Sequence, residues 1–314
     1  MKKSTAMIAL GGNSISPKGI AGTIEQQFRY IKDTIERLSI FIETSYNICV
    51  THGNGPQVGD ALHRMELTSE QIPPLPLGVC VAGTQGQIGY MIQQSLENKL
   101  REMEIDREVV TMVTQVIVDR NDESLKNPTK YIGPRYSKDE ILKLSEDFNW
   151  NIKEQEPGFW RRVVPSPMPE YIMHGESIKA LVDRGTIVIS SGGGGIPVFN
   201  NESGHLEGLD AVIDKDFSAA KLGRIIKAQE LWIITDIDSV YLNFGTEQQK
   251  RLKVTTKDQI EEYLHKGKFQ KGSMEPKIIA AIYFLKHHGK KVVITSIPCI
   301  ENALNETAGT IIRN

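Results

Sequence analysis

The chain has 314 residues, and 37 basic against 39 acidic side chains leave a formal charge of −2. That length suits one large α/β domain or two lobes, and the charge balance, unbroken by any block of like sign, excludes bulk attraction to nucleic acid or an anionic membrane. Residues 1–10 hold a short apolar run without a small-residue cleavage site, and no later stretch is long enough to span a bilayer, so the sequence reads as cytoplasmic.

In chain order, runs rich in aliphatic and β-branched residues predict strands at Ala6–Leu10, Ile48–Thr51, Val109–Val118, Thr186–Ser190, Leu231–Thr235 and Val292–Thr295. Most are continuously apolar, the pattern of strands buried on both faces. Between them, helical periodicity covers Ile24–Phe41, Thr84–Leu100, Glu170–Asp183, Lys215–Lys227, Thr256–His265 and Pro276–His288. This alternation predicts a three-layer α/β/α sandwich around a mainly parallel central sheet. Residues 121–169 break the rhythm with six prolines, Trp150, Trp160 and one helical pattern near Ser137–Asp147. They read as a protruding lid subdomain inserted within a single domain of residues 1–314, the alternative being a surface insertion without function. Cys49, Cys80 and Cys299 are odd in number, widely spaced and read as buried thiols; the seven histidines show no zinc spacing, so no metal ligands are assigned.

Chemistry concentrates where strands give way to helices. Leu10-Gly11-Gly12-Asn13-Ser14 and Thr51-His52-Gly53-Asn54-Gly55-Pro56-Gln57 end the first two strands. Glycines there let backbone N–H groups approach an anion, helped by the positive end of the following helix, and Asn13 and Asn54 offer side-chain donors. Taken singly, each is equally a tight turn. Gly192-Gly193-Gly194-Gly195 follows the Thr186–Ser190 strand, and four glycines in a row imply close approach by a ligand or by other chain. Asp214-Lys215-Asp216 opens a helix: Asp214 suits an N-cap, and Asp216 can hold Lys215. A lysine in a first turn opposes the helix dipole unless an anion binds there, and Lys277, just behind Pro276, repeats that arrangement. The alternative is a solvated lysine flanked by acids. Gly267–Ser273 mimics a Walker A loop but has Ser273 in the place of its lysine. Backbone anion cradles with lysines and no convincing nucleophile suit phosphoryl transfer, where positioning and charge neutralisation do most of the catalysis.

Together these motifs resemble the carbamate kinases of the amino acid kinase superfamily. The resemblance is carried by Ala-Leu-Gly-Gly-Asn at 9–13, Thr-His-Gly-Asn-Gly-Pro-Gln-Val-Gly at 51–59 and Gln-Gly-Gln-Ile-Gly-Tyr at 85–90. It continues through Pro-Thr-Lys at 128–130, Arg-Arg-Val-Val-Pro-Ser-Pro at 161–167, Gly-Gly-Gly-Gly-Ile-Pro-Val at 192–198, Ala-Val-Ile-Asp-Lys-Asp at 211–216 and Asn-Phe-Gly at 243–245. It implies the amino acid kinase fold, reversible phosphoryl transfer between ATP and carbamate giving ADP and carbamoyl phosphate, Mg2+ with the nucleotide, and a homodimer. It further implies that Gly11, Gly12 and Asn13 hold the transferring phosphoryl group and that Gly53, Asn54 and Gly55 hold the carbamate end. Lys215 and Lys277 would neutralise phosphates, Asp216 organise those lysines, and Lys130 reach in from the lid, with Asp236, Tyr241 and Met274 as nucleotide contacts.

The chain departs from that pattern at Glu275, where glycine is expected beside the phosphate site, at Tyr131 and Arg135 around Lys130, and at Ala82-Gly83-Thr84. These changes leave two rivals: a related kinase with another small acid or phosphonate as acceptor, and a weakly catalytic sensor of nucleotide or acyl phosphate.

Overall fold

The structure, a computed structural model, describes residues 3–17 and 22–314. The first half comprises β1 (Thr5–Leu10), a 3-10 turn (Gly12–Ser14), α1 (Ile24–Glu43), β2 (Asn47–His52), α2 (Gly55–Thr68), α3 (Leu77–Glu102), β3 (Val109–Thr111), β4 (Gln115–Val118), α4 (Glu123–Lys126), β5 (Lys130–Tyr136), α5 (Lys138–Phe148), β6 (Ile152–Glu156) and β7 (Phe159–Val164). The second comprises β8 (Pro169–Ile172), α6 (Gly175–Asp183), β9 (Ile187–Ile189), β10 (Ile196–Asn200), β11 (Leu206–Gly208), α7 (Lys215–Ile225), β12 (Glu230–Thr235), β13 (Val240–Leu242), β14 (Lys250–Leu252), β15 (Val254–Thr256), α8 (Lys257–His265), α9 (Glu275–Lys286), β16 (Lys291–Ser296), α10 (Ile300–Leu304) and β17 (Thr310–Arg313).

Eight strands form the central sheet in the order β15-β17-β16-β12-β1-β2-β9-β3, parallel throughout except between β16 and β17. Its two faces follow from the strand period of two. On β1, Ala6, Ile8 and Leu10 join the core beneath α1 and α3, while Met7 and Ala9 join the core beneath α7 and α9. Trp232 on β12 is fully buried in the first of these cores. Its ring meets Phe41 edge-on at 4.9 Å, and its N–H donates to Glu230 at 2.8 Å, so the aromatic area is buried without an orphaned donor. The amino acid kinase fold of the sequence analysis, a large mainly parallel sheet between helical layers, is thus the observed one.

Three expectations need correction. Val109–Val118 is two strands in two sheets, because the Thr114 N–H donates to the Gln85 side chain at 2.7 Å and the chain crosses from β3 in the central sheet to β4 in a four-stranded sheet ordered β11-β10-β4-β8. Glu170–Asp183 is helical only from Gly175: residues 169–172 pair with β4, and His174 takes a left-handed φ of 58° that a helix interior excludes. Cys299 is only partly buried, although Cys49 and Cys80 are buried and all three thiols are free. Burial alone pushes the Cys49 thiol up to about 12. Sequence periodicity also passed over α2, although Val58 and Leu62 bury one face of it.

Residues 130–164 form a separate antiparallel sheet, ordered β5-β7-β6, with α5 against it. Polar contacts join it to the body. Lys130 Nζ lies 3.4 Å from Asp214, Arg162 Nη2 lies 2.5 Å from Asp210, and the Tyr136 hydroxyl donates to the Glu66 carboxylate on α2.

Candidate active site

At the carboxyl ends of β1, β2 and β12 the helices α2, α7 and α9 begin, and their first turns meet at one cleft of about 440 Å3. Open parallel sheets bind ligands in this position. Asp214 caps α7, its Oδ1 accepting from the N–H groups of Asp216 at 3.0 Å and Phe217 at 3.4 Å. The first turns of α2 and α9 have no side-chain cap, and Pro56 and Pro276 stand at their openings. Uncapped helix starts facing a cleft leave N–H groups and dipole for an anion.

Asp216 is the floor of the cleft. Its Oδ1 accepts from Lys215 Nζ and its Oδ2 from Lys277 Nζ, the latter at 2.8 Å, and its side chain is 3% exposed. Burial alone would raise the Asp216 carboxyl, but the two ammonium groups outweigh it and hold the group well below the usual carboxylate range. Burial depresses Lys215; at Lys277 burial acts the same way, but the Asp216 carboxylate outweighs it and raises the group. The result is a fixed carboxylate carrying two cations at the ends of two helix dipoles, an arrangement for neutralising negative charge and a poor one for taking a proton.

Gly11 and Gly53 are tightly packed, whereas a Cβ on Gly55 would meet nothing within 4 Å. Gly53 donates its N–H to the Leu10 carbonyl at 2.9 Å, and a Cβ on Gly53 would lie 3.0 Å from the Gly12 nitrogen. A Cβ on Gly11 would lie 3.0 Å from the Ile234 carbonyl oxygen. Gly53, Asn54 and Gly55 line the cleft; Gly11 and Gly12 sit directly behind Gly53, and the side chain of Asn13 falls outside the described part of the structure. Asn54 Nδ2 donates to the Thr84 hydroxyl at 2.8 Å, so part of this amide is committed to holding the loop. Within Ala82-Gly83-Thr84, the Thr84 hydroxyl therefore fixes Asn54.

The four-glycine run is resolved in favour of chain. Cβ atoms at Gly192, Gly193, Gly194 and Gly195 would collide with His52, Asn54, Ile213 and Val116 respectively, and the last three glycines take positive φ. Only Gly193 reaches the cleft wall. The same packing buries His52, whose Nδ1 faces the Gly53 carbonyl at 3.0 Å, and burial lowers its imidazole to about 4.

Lys130, Asp236, Tyr241 and Met274 also line the cleft, so ten of the named residues surround one space. The Tyr241 hydroxyl donates to Asp238 at 3.0 Å and its ring lies 5.9 Å from that of Phe244. Phe244 was missed as a contact. It is half exposed at the cleft mouth between Asn243 and Gly245, both at positive φ, and its signal was an aromatic residue held between two turn-forming ones. Glu275 stands in the first turn of α9, where a carboxylate suits the dipole, and is not a wall residue of the cleft. Tyr131 donates its hydroxyl to the Glu154 carbonyl at 3.0 Å, and Arg135 grips Glu156 at 2.8 and 3.1 Å, so both departures are tied to β6 within the small sheet, and Tyr131 also lines the cleft. Among the described residues no group of three or more His, Cys, Asp or Glu is placed to hold a metal ion, and no helix is long and apolar enough to cross a membrane.

The chain matches the amino acid kinase family over residues 4–296. It is 42% identical to the carbamate kinase of Pyrococcus horikoshii over 306 residues, 97% of each chain. It is 43% identical to the carbamate kinase-like protein YahI of Escherichia coli over 313 residues, 98% of each. Among solved structures, carbamate kinase from Giardia lamblia bound to AMP-PNP matches with a TM-score of 0.93 at 35% identity, over 99% of this chain and 98% of that one. The chain therefore belongs to the amino acid kinase family and, within it, to the carbamate kinases, which are ATP-dependent phosphotransferases.

Proposed function

We propose that the protein transfers a phosphoryl group reversibly between ATP and carbamate, giving ADP and carbamoyl phosphate. The observation that carries this reading is Asp216 fixed between Lys215 and Lys277 at the meeting point of three helix starts. A carbamate oxygen attacks the γ-phosphorus, the bond to the β,γ-bridging oxygen breaks, and ADP leaves with the electron pair. No proton moves. The attacking oxygen is already anionic, which fits a site whose buried carboxylate is too weakly basic to serve as a general base. Lys215 and Lys277 neutralise charge on the transferring group, Asp216 holds them, and Lys130 approaches from the lid. The loops at Gly11, Gly12 and Asn13 and at Gly53, Asn54 and Gly55 take the phosphoryl group and the carbamate end, while Asp236, Tyr241 and Met274 face the nucleotide.

Mg2+ is read as arriving on the nucleotide. It keeps several waters and needs only one or two carboxylates besides phosphate oxygens, and Asp214 and Asp236 are the cleft carboxylates outside the lysine pair that fit such a metal. Bound there, it would offset phosphate charge. We also read the protein as a cytoplasmic homodimer, a reading supported by the exposed apolar side chains of Leu67, Ile72, Leu75, Val79 and Tyr90 along α2, α3 and their connection.

The second reading is another small acid as acceptor, favoured by equal likeness to carbamate kinases and to a carbamate kinase-like protein. One assay tests both. With Mg2+, ADP and carbamoyl phosphate the purified protein is expected to make ATP; synthesis no greater than in a Lys215→Ala control overturns the kinase reading. In the reverse direction, faster turnover of another acid than of carbamate in an acceptor panel replaces the first reading by the second.

A further inference from the structure

Helices α7 and α9 carry Lys215 and Lys277 at the cleft, and their far ends border a second depression of about 730 Å3. It lies by Gln229 and Lys290, which immediately precede β12 and β16, so it opens at the amino-terminal edge of the parallel strands, opposite the cleft. Lys221, Arg224, Lys227 and Lys290 line it. Among the described residues none of the four has a carboxylate within 4.0 Å, whereas Lys130, Lys215 and Lys277 each do. Glu170, Glu176 and His288 share the lining without neutralising it.

Two of these cations have an ordinary explanation. Arg224 lies in the last turn of α7 and Lys227 just beyond it, where the helix dipole favours positive charge. Lys221, whose Nζ lies 3.5 Å from the Glu170 carbonyl oxygen, and the exposed Lys290 add their charge to the same rim. Lys221 stands 5.0 Å over the Tyr283 ring, and Arg224 donates to the Tyr283 hydroxyl at 3.1 Å, so two of the four are held in place on one aromatic side chain. Tyr283 in turn lies 5.2 Å from Phe217, the neighbour of Asp216.

We propose that this groove is a binding site for a small molecule carrying two or more phosphate groups. Four cations that outnumber the carboxylates of Glu170 and Glu176, none of them ion-paired among the described residues, match multiple phosphate oxygens, and the volume is that of a small-molecule pocket, roughly 300 to 1,000 Å3. Binding there is independent of what the cleft catalyses. The test is calorimetric titration of tripolyphosphate into protein saturated with AMP-PNP, alongside a Lys227→Ser/Lys290→Ser variant. The expected result is one further binding event in the wild type, weakened at least tenfold in the variant and by added salt, with AMP-PNP affinity unchanged in both. No further event, or one of equal strength in the two proteins, overturns the site.

Discussion

The cleft holds two kinds of lysine. Lys215 and Lys277 are 14% and 18% exposed and share one buried carboxylate, while Lys130 is 41% exposed and reaches Asp214 across 3.4 Å. The first pair is built into the packed start of α7 and α9; the third rides on a small sheet that polar contacts and one apolar cluster join to the body. Charge that must be present throughout the reaction is set in the core. Lys130 differs from that pair in the exposure of its own side chain, since the sheet that carries it shares a buried apolar cluster with α2, Ile132 and Val164 joining Val58 and Leu62.

The largest effect is expected from breaking the core pair. Asp216→Asn leaves two close ammonium groups without the carboxylate they share, a loss of roughly 3 kcal/mol for a broken buried pair. Turnover should fall at least about 1,000-fold as both lysines lose their orientation. The pH dependence has a definite sign. The folded-state Asp216 is depressed, so its contribution is complete above the unfolded carboxyl value of about 3.9 and is lost only as pH falls through the lower folded value. The stability gap between wild type and Asp216→Asn, read from urea midpoints, should therefore stay constant from neutrality to about pH 4 and close only below it. A gap that closes already at pH 6 contradicts a charged Asp216.

Next comes the lid. Lys130→Ala is expected to lower kcat about 100-fold while the Kd for ADP, measured by calorimetry, changes less than about twofold, because a half-exposed lysine facing the cleft acts on the transferring group. Equal losses in kcat and in ADP affinity would make Lys130 an ordinary nucleotide contact and erase the distinction from the core pair.

Much of this was legible in the sequence, and for unequal reasons. Continuously apolar strands announced the parallel sheet, and lysines in the first turns of α7 and α9 were anomalous enough to mark the site before any contact was known. From the residues alone the Asp216 bridge was legible only as a neighbour of Lys215; its hold on Lys277 was implied by the family resemblance, since 61 residues separate the two and the packing of α7 on α9 joins them. Gly192–Gly195 showed that something comes close, and composition alone could not say that His52, Asn54, Ile213 and Val116 are what comes. The break at Thr114 was hidden because a side-chain acceptor from Gln85 replaces a ladder bond there, an event without local sequence signature.

The smallest effect sharpens the comparison most. Arg162 on β7 is 12% exposed, pairs with Asp210 on the body and lies 4.9 Å over the Trp150 ring, so it ties the lid to the segment that leads into Asp214. Burial lowers the Arg162 guanidinium, while Asp210 and then Glu66 offset part of that. If this tie sets where Lys130 stands, Arg162→Gln should lower kcat about tenfold and leave ADP affinity unchanged. The decisive measurement is the double variant. Two residues acting through one element are non-additive, so Lys130→Ala/Arg162→Gln should be no slower than Lys130→Ala alone. A further tenfold loss in the double variant would mean that Arg162 acts on something other than Lys130, and the lid would then contribute two independent functions where the core contributes one.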